Sequence, residues 1–386
     1  MNPDRRVIVV GGGIIGASIA YALTKRGAEV TLCEQSRPPG SGSTRFSGGL
    51  IRMHHTHPAS IPWAWESAHQ YAHWQEIIGG ECGFRKTGFA LIAGPEQTPH
   101  MKKNIDELKK QGIPVYLLDP DEYRELQPDI STEGIGAVAY EPYGGFADPI
   151  QATMSYLEQG QRMGLRVMEG TKVTRLLTQN GSVTGVETNV GALLADGVIL
   201  CGNSWVSTLL EEFSLFLPVK PKRIGVCFVR WDPPNPTPPV LTTIDDTLGV
   251  YFRAVDPHHL LIGIRVRQPI SSLETPAVPI REELISAKET LQVRYPALEK
   301  SEIMGGRMSF DGYTPDHHPI IGSVQGLPRV YLAVGFSGGG FKIAPAIGEA
   351  VARDWVEGDE AGLEPFRLSR FAEERPIVPT YPYVHM

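Results

Sequence analysis

The chain has 386 residues, too many for one ordinary hydrophobic core, so two domains are expected. Hydrophobic residues make up 41% and charged residues 20%, the balance of a globular enzyme rather than of a disordered chain. Lys and Arg number 36 against 43 Asp and Glu; the net charge of −7 argues against a nucleic-acid surface and a polybasic membrane anchor, but leaves room for a local basic pocket.

Arg5 and Arg6 precede the run Val7-Ile8-Val9-Val10, too short for a signal peptide and readable as a buried strand. Gly11, Gly13 and Gly16 then fill the three glycine places of G-x-G-x-x-G, with Gly12, Ile14 and Ile15 between them. The first glycine allows a tight turn, the second lets a pyrophosphate approach the backbone, and the third lets the helix pack on the strand. Ile15, Ile19, Ala22 and Leu23 mark one face of a helix over 14–26, with Gly27 in a C-cap place. Glu29–Glu34 reads as the second strand. Glu34 ends it about 20 residues beyond the glycines, where a carboxylate can hold ribose hydroxyls. The unit predicts an adenine dinucleotide and leaves NAD and FAD both open.

A Gly, Ser, Pro and Thr loop follows over 36–49. Helical spacing recurs over 62–78 and 99–111, the latter ended by Gly112. Asp148-Pro149 predicts an N-cap and a proline-started helix running to Gly164. A strand over 173–177 enters a hairpin at Asn180-Gly181, and Val198-Ile199-Leu200-Cys201-Gly202 is another buried strand. Residues 232–240 are proline-dense and read as a loop; 249–266 alternate like strands; 281–295 look helical. The strand Val330–Gly335 leads through Gly338-Gly339-Gly340 into a helix ending near Val356.

Cys33, Cys82, Cys201 and Cys227 lack metal-ligand spacing, and the sparse use fits a reducing compartment. His54, His55 and His57 have no cysteine or carboxylate beside them, so no metal is expected. No stretch approaches the ~18 apolar residues of a membrane span, and a cytoplasmic location is the expectation.

Three separated glycine-rich or small-residue turns favour FAD over NAD. The turn Cys201-Gly202-Asn203-Ser204-Trp205 lets the chain pass close to a dinucleotide on the first strand. The turn at Gly338–Gly340 is a second helix start, whose N–H groups suit a ring gaining negative charge. A cofactor touched by the first, middle and last parts of the chain is long and extended. The expected architecture is α/β plus α+β: a Rossmann-like nucleotide domain over 1–60, 145–215 and 305–386, and an antiparallel-sheet substrate domain over 61–144 and 216–304. Expected cofactor contacts are Gly11, Gly13, Ile14, Ile15, Gly16, Glu34, Gln35, Ser36, Ser43, Thr44, Arg45, Ser47, Gly48, Gly49, Leu50, Val173, Cys201, Gly202, Trp205, Arg307 and Phe336 through Lys342, the last run including Ser337, Gly338, Gly339, Gly340 and Phe341.

Over nearly its whole length the chain resembles the FAD-dependent amine and amino-acid oxidoreductases of the D-amino-acid oxidase superfamily, and most the sarcosine oxidase, glycine oxidase and dimethylglycine dehydrogenase branch. The resemblance rests on Gly11–Gly16 with Glu34, on residues 42–52, on Gly312-Tyr313-Thr314-Pro315-Asp316 with Pro319-Ile320-Ile321-Gly322, and on Gly335–Lys342. It implies extended FAD roofed by the substrate sheet, and hydride transfer from the carbon beside an amine, giving an imine that hydrolyses. N-methyl, secondary and D-amino acids are the substrates it implies, with O2 or another carrier as electron acceptor. By motif position Arg52 and Lys342 grip the substrate carboxylate. Tyr251 and Arg265 lie on the strands that roof the pocket, and His54 is a candidate lining residue. Where family members attach flavin through Cys or His, this chain has Ser309 and Phe46, so non-covalent FAD is expected. Where some oxidases place a lysine over the flavin, the alignment puts Leu261, which favours a dehydrogenase. Two alternatives stay open: a dehydrogenase of 2-hydroxy acids, with His54 or His55 as base, and a flavoprotein subunit of a larger electron-transferring complex.

Overall fold

The computed structural model describes residues 6–232, 239–265, 278–360 and 362–384. Two sheets organise them. The first has six strands in the spatial order Ile320–Ser323, Val330–Val334, Gly197–Leu200, Arg6–Val10, Glu29–Glu34 and Arg166–Glu169. Its central strands run parallel, and Arg6–Val10 sits between Glu29–Glu34 and Gly197–Leu200. Both faces are covered, so these strands read as continuous apolar runs rather than alternating ones.

Helix Ile14–Lys25 covers one face with eleven of its twelve residues buried. It stops in a glycine cap: Gly27 has φ +84°, its N–H donates to the Thr24 carbonyl, and the Ala28 N–H donates to Leu23. Helix Gly340–Glu357 packs against it, with Gly348 pressed on Ser18 so closely that a Cβ would lie 2.8 Å from its backbone. Pro345 inside this long helix has no N–H for the Phe341 carbonyl. The Tyr71 hydroxyl donates to that carbonyl instead, at 2.7 Å. Helix Ile61–Ala72, which carries Tyr71, therefore packs on the nucleotide side, although 61–144 is expected in the substrate domain.

The second sheet has eight strands in the order Glu302–Tyr313, Lys220–Arg230, His259–Gly263, Val250–Asp256, Thr242–Asp245, Phe89–Ala93, Ala137–Glu141 and Tyr116–Leu118. All its pairings are antiparallel except that of Thr242–Asp245 with Phe89–Ala93. Helix Arg281–Gln292 covers its outer face, over Cys227, Val229, Phe252, Leu260 and Ile262. The strand Glu302–Tyr313 pairs with Lys220–Arg230 along its length and so runs across the boundary expected at 304/305.

Several elements form as their sequences predict. Asp148 accepts from the N–H groups of Ile150 and Gln151 and starts helix Pro149–Arg162. Asn180 and Gly181, at φ 52° and 77°, turn the hairpin between Val173–Gln179 and Ser182–Thr188. The expected helices over 99–111 and 281–295 are Thr98–Lys110 and Arg281–Gln292, and the region 62–78 holds two helices, Ile61–Ala72 and Trp74–Ile77. Most of the proline-dense loop, residues 233–238, and residue 266 of the alternating segment lie outside the described residues.

Candidate active site

One cavity of about 1070 Å³ runs between the two sheets. Its nucleotide end is set by the glycine turn. Gly11 has φ +108° and its N–H donates to the Cys33 carbonyl, while the Cys201 N–H donates to Val10, so the three strand ends meet there. A Cβ on Gly16 would overlap the Gly11 carbonyl oxygen, which is why the third glycine serves packing and does not line the cavity. The Thr44 hydroxyl accepts from the Ile14 N–H at 3.0 Å and ties the loop over 36–49 to the helix start.

Glu34 lies at the end of its strand as expected and lines the cavity. Its two carboxylate oxygens accept from the N–H groups of Gly12 and Ser36, both at 2.7 Å. One lone pair on each oxygen is left for hydroxyl donors. Ser36 is thus a backbone partner of Glu34 and is not in the lining. Gln35, Thr171, Lys172 and Val173 complete this end, and Cys201, Gly202 and Trp205 the adjoining wall.

Toward the other end, Ser43, Ser47, Gly48, Gly49 and Leu50 line one wall. Gly49 is at φ +70°, and a Cβ there would overlap the Ala147 carbonyl oxygen. A Cβ on Gly48 would lie 2.7 Å from the Tyr251 ring. That ring also fills the space in front of Gly263, where a Cβ would overlap it. Two glycines therefore fix where Tyr251 stands over the cavity, and burial pushes its phenol up to about 12.

The opposite wall is the turn into helix Gly340–Glu357. Phe336, Gly338, Gly340, Phe341 and Lys342 line it. Asp311 organises this turn: one oxygen accepts from the Gly338 N–H at 2.8 Å and the other from Asn203 Nδ2 at 2.7 Å. Asn203 Oδ1 accepts in turn from the Gly335 N–H at 3.0 Å. Ser337 and Gly339 build the turn rather than line it: the Ser337 hydroxyl donates to the Gly335 carbonyl, and the Gly339 N–H donates to Phe336.

Two cations lie buried at this end. Arg52 is 8% exposed and Lys342 6%. Both line the cavity. Lys342 Nζ donates to the Gly338 carbonyl at 3.2 Å. Burial, reinforced by the Arg52 charge and opposed by Asp311, pushes Lys342 well below the ordinary lysine range. Arg52 is pushed down to about 10 by burial, opposed by Glu141, and so stays charged at neutral pH. Its Nε and Nη1 are buried without a hydrogen-bond partner. Leaving two such donors unpaired is costly, and a carboxylate matches their geometry.

Five expected cofactor contacts are therefore placed outside the lining by named roles or positions: Gly16, Ser36, Ser337, Gly339 and the exposed Arg45. Arg307 is a sixth; its guanidinium lies over the Phe228 ring, 5.4 Å from its centre, and not in the lining. Arg265 lines the cavity but is exposed, at its rim. The buried arginine of the roof is Arg253, whose Nε donates to the Gly48 carbonyl at 2.7 Å while its guanidinium stacks on Phe146 at 4.0 Å. Leu261 is fully buried on the strand that carries Gly263, and Gly263, not Leu261, lines the cavity.

His54 is also outside the lining. It is fully buried behind Arg52, and its Nε2 shares a 2.8 Å hydrogen bond with the Tyr383 hydroxyl. Burial and the Arg52 charge push it down to about 3, so it is neutral. Its folded pKa is depressed below the unfolded value, so the stability it leaves intact above pH 6.5 is lost as pH falls from 6.5 toward 3. By linkage this one histidine destabilises the fold by about 2 kcal/mol at pH 5 relative to pH 8. His54→Phe is expected to flatten the stability profile by that amount, measured as denaturation free energy at the two pH values; an unchanged slope contradicts it.

The sequence reading missed Asn203, Asp311, Arg253, Glu141 and Tyr383. Asn203 sits inside a motif already singled out and Asp311 directly before one, each beside a glycine whose turn needs a polar anchor. Nothing local marks the other three.

The residues fit FAD. The cavity is continuous from the glycine turn and Glu34 to the turn at Gly338, and glycines clear its walls at both ends. Among the described residues no group of His, Cys, Asp and Glu could hold a metal, and no helix is long and apolar enough to cross a membrane.

The chain is 26% identical over 369 residues to 4-methylaminobutanoate oxidase (formaldehyde-forming) of Paenarthrobacter nicotinovorans, covering 93% of this chain and 44% of that protein. It is 26% identical over 368 residues to the mitochondrial pyruvate dehydrogenase phosphatase regulatory subunit of Mus musculus, covering 91% of this chain and 41% of that one. The chain thus spans less than half the length of these curated relatives. Among solved structures it is similar to L-proline dehydrogenase from P. horikoshii, with TM-score 0.88 and 28% identity over 97% of this chain and 99% of that chain. The model of the family described as FAD dependent oxidoreductase (DAO) matches residues 6–353, and the chain belongs to that family.

Proposed function

We propose that this chain oxidises a small amino acid at the carbon beside its amine, taking N-methyl, secondary or D-amino acids. The observation that carries the reading is Arg52: a buried cation in the cavity wall with two unpaired donors, beside the buried amine of Lys342. A substrate carboxylate supplies a counter-charge to Arg52, whose planar guanidinium matches it. FAD held in this cavity would supply the acceptor for the two electrons and the hydrogen that leave the substrate carbon.

The chain's own residues do the rest. Arg52 and Lys342 fix the carboxylate end and so orient the rest of the molecule. The Arg52 charge disfavours another cation nearby, which pushes the bound amine toward its neutral form. Leu50, Ile244, Tyr251, Phe336 and Phe341 line the cavity with apolar surface that excludes water. Relatives and structural neighbours include a methylaminobutanoate oxidase and an L-proline dehydrogenase, both named for amine substrates that carry a carboxylate.

Dye reduction by N-methyl and secondary amino acids, and none by their N-acetyl counterparts, is the expected assay result, because an amide nitrogen has no free lone pair. Equal rates with both would refute it. The alternative for 2-hydroxy acids needs a base, and neither His54 nor His55 lines the cavity. The subunit alternative draws on one observation, the similarity to a regulatory subunit more than twice as long.

The flavin is held without a covalent bond on this reading, since Ser309 and Phe46 carry no nucleophilic sulfur or imidazole. Acid precipitation of the holo-protein is expected to release all flavin to the supernatant; colour retained in the pellet contradicts it.

A further inference from the structure

We propose that Tyr383 is a positioning residue for the anion-binding Arg52, acting from a strap of chain that runs behind the cavity. The proposal rests on the reading of Arg52 as the carboxylate partner.

The strap, Ile377–Val384, is fastened along its length. The Ile377 N–H donates to Asp316 Oδ2 at 3.0 Å, and the Thr380 N–H to the Thr56 carbonyl at 3.3 Å. Asn104 Nδ2 donates to the Tyr381 carbonyl at 3.0 Å, and the Val384 N–H to Asp246 Oδ2 at 2.8 Å. These bonds seat the Tyr383 side chain, 7% exposed, against the fully buried His54. The hydroxyl and His54 Nε2 are 2.8 Å apart, and the rings lie 5.6 Å between centres.

The cavity side of the same loop is Arg52. Its Nε and Nη1 have no hydrogen-bond partner and the guanidinium lies over the Phe89 ring, 6.0 Å from its centre, so its direction is set by that packing and by how residues 52–54 are held. Two groups hold them. Glu141 Oε2 accepts from the Met53 N–H at 2.8 Å, and Tyr383 holds the His54 ring. The strap grips the loop twice, at His54 and at Thr56. An arginine with no hydrogen bond of its own to hold its guanidinium is aimed at a carboxylate by a backbone fixed from behind, and Tyr383 supplies part of that fixing.

The test uses holo-protein and acetate as the probe, with binding read by calorimetry and by the change in flavin absorbance, so it does not depend on amine oxidation. Tyr383→Phe removes the hydroxyl and keeps the ring. It is expected to weaken acetate about tenfold, with FAD content and melting temperature close to wild type. Arg52→Met weakens acetate further, and adding Y383F to R52M is expected to change nothing more, because Tyr383 acts through Arg52. Should Y383F not accumulate as holo-protein, His54→Phe breaks the same bond from its other end and carries the same expectation. Acetate affinity within twofold of wild type in the variant, a loss that adds on R52M, or no acetate binding to wild type would each overturn the proposal. Amine oxidation failing while acetate still follows this pattern would sink only the reading of the reaction.

Discussion

Arg52→Met is expected to lower kcat/KM for an amino-acid substrate roughly a hundred- to a thousandfold, while the protein keeps its FAD. The size follows from removing one partner of a buried charge-assisted pair, which costs about 2–5 kcal/mol. The loss is expected in KM and kcat together, because the carboxylate grip also aims the reacting carbon. An amine substrate without a carboxylate is expected to change little between wild type and variant. Steady-state kinetics on a matched pair, an N-methyl amino acid and the corresponding N-methyl alkylamine, checks this. Equal losses for both would show that Arg52 supports the fold of the cavity rather than the carboxylate.

Gly16→Val is expected to yield protein that is folded but largely free of flavin. A side chain here runs into the Gly11 carbonyl oxygen, and Cys201 Cβ lies 3.3 Å away on the neighbouring strand end. The helix has no room to retreat, because Ile14–Lys25 is also packed under Gly340–Glu357. The turn that receives the pyrophosphate must open, and FAD affinity is expected to fall roughly a hundredfold or more. Visible absorbance of the purified variant and a titration with added FAD measure it. The measurement separates this position from Gly13, which lines the cavity and whose Cβ would meet only the Thr44 hydroxyl, at 3.0 Å.

The nucleotide end was legible because its chemistry is local. A strand, a glycine turn, a helix and Glu34 lie within one stretch of chain, and each has a period or a residue type that marks it. The turn at Gly335–Lys342 was legible for the same reason. The roof was not. Lys220–Arg230 and Glu302–Tyr313 are long strands with charges at their ends and glycines inside, so neither alternates cleanly. Gly306 shows why: a Cβ there would lie 2.5 Å from Leu284 and 2.6 Å from the Val226 carbonyl oxygen, so the glycine serves a packing partner far away in sequence.

The same limit explains the arginines. Arg253 and Arg265 both sit on the roofing segment, and sequence favoured the second. Burial distinguishes them, and burial depends on Gly48 and Phe146, which are far away in sequence. Glu141 ends an apolar strand as many edge residues do, yet it is fully buried and pushed up to about 7 by burial, opposed by the Met53 N–H and the Arg52 charge. Tyr383 lies in a segment without periodicity, held by side chains from four separate parts of the chain: His54, Asn104, Asp246 and Asp316. Such residues are fixed by tertiary contacts alone.

Anaerobic titration of the holo-protein, followed at the flavin band at about 450 nm, tests the central claim most directly. L-proline, sarcosine and a set of D-amino acids are compared with the 2-hydroxy acids of the same carbon skeletons. Bleaching by at least one amino acid, and by none of the hydroxy acids, is the expected result. Bleaching by a hydroxy acid alone, or no bleaching by any amine, would contradict it.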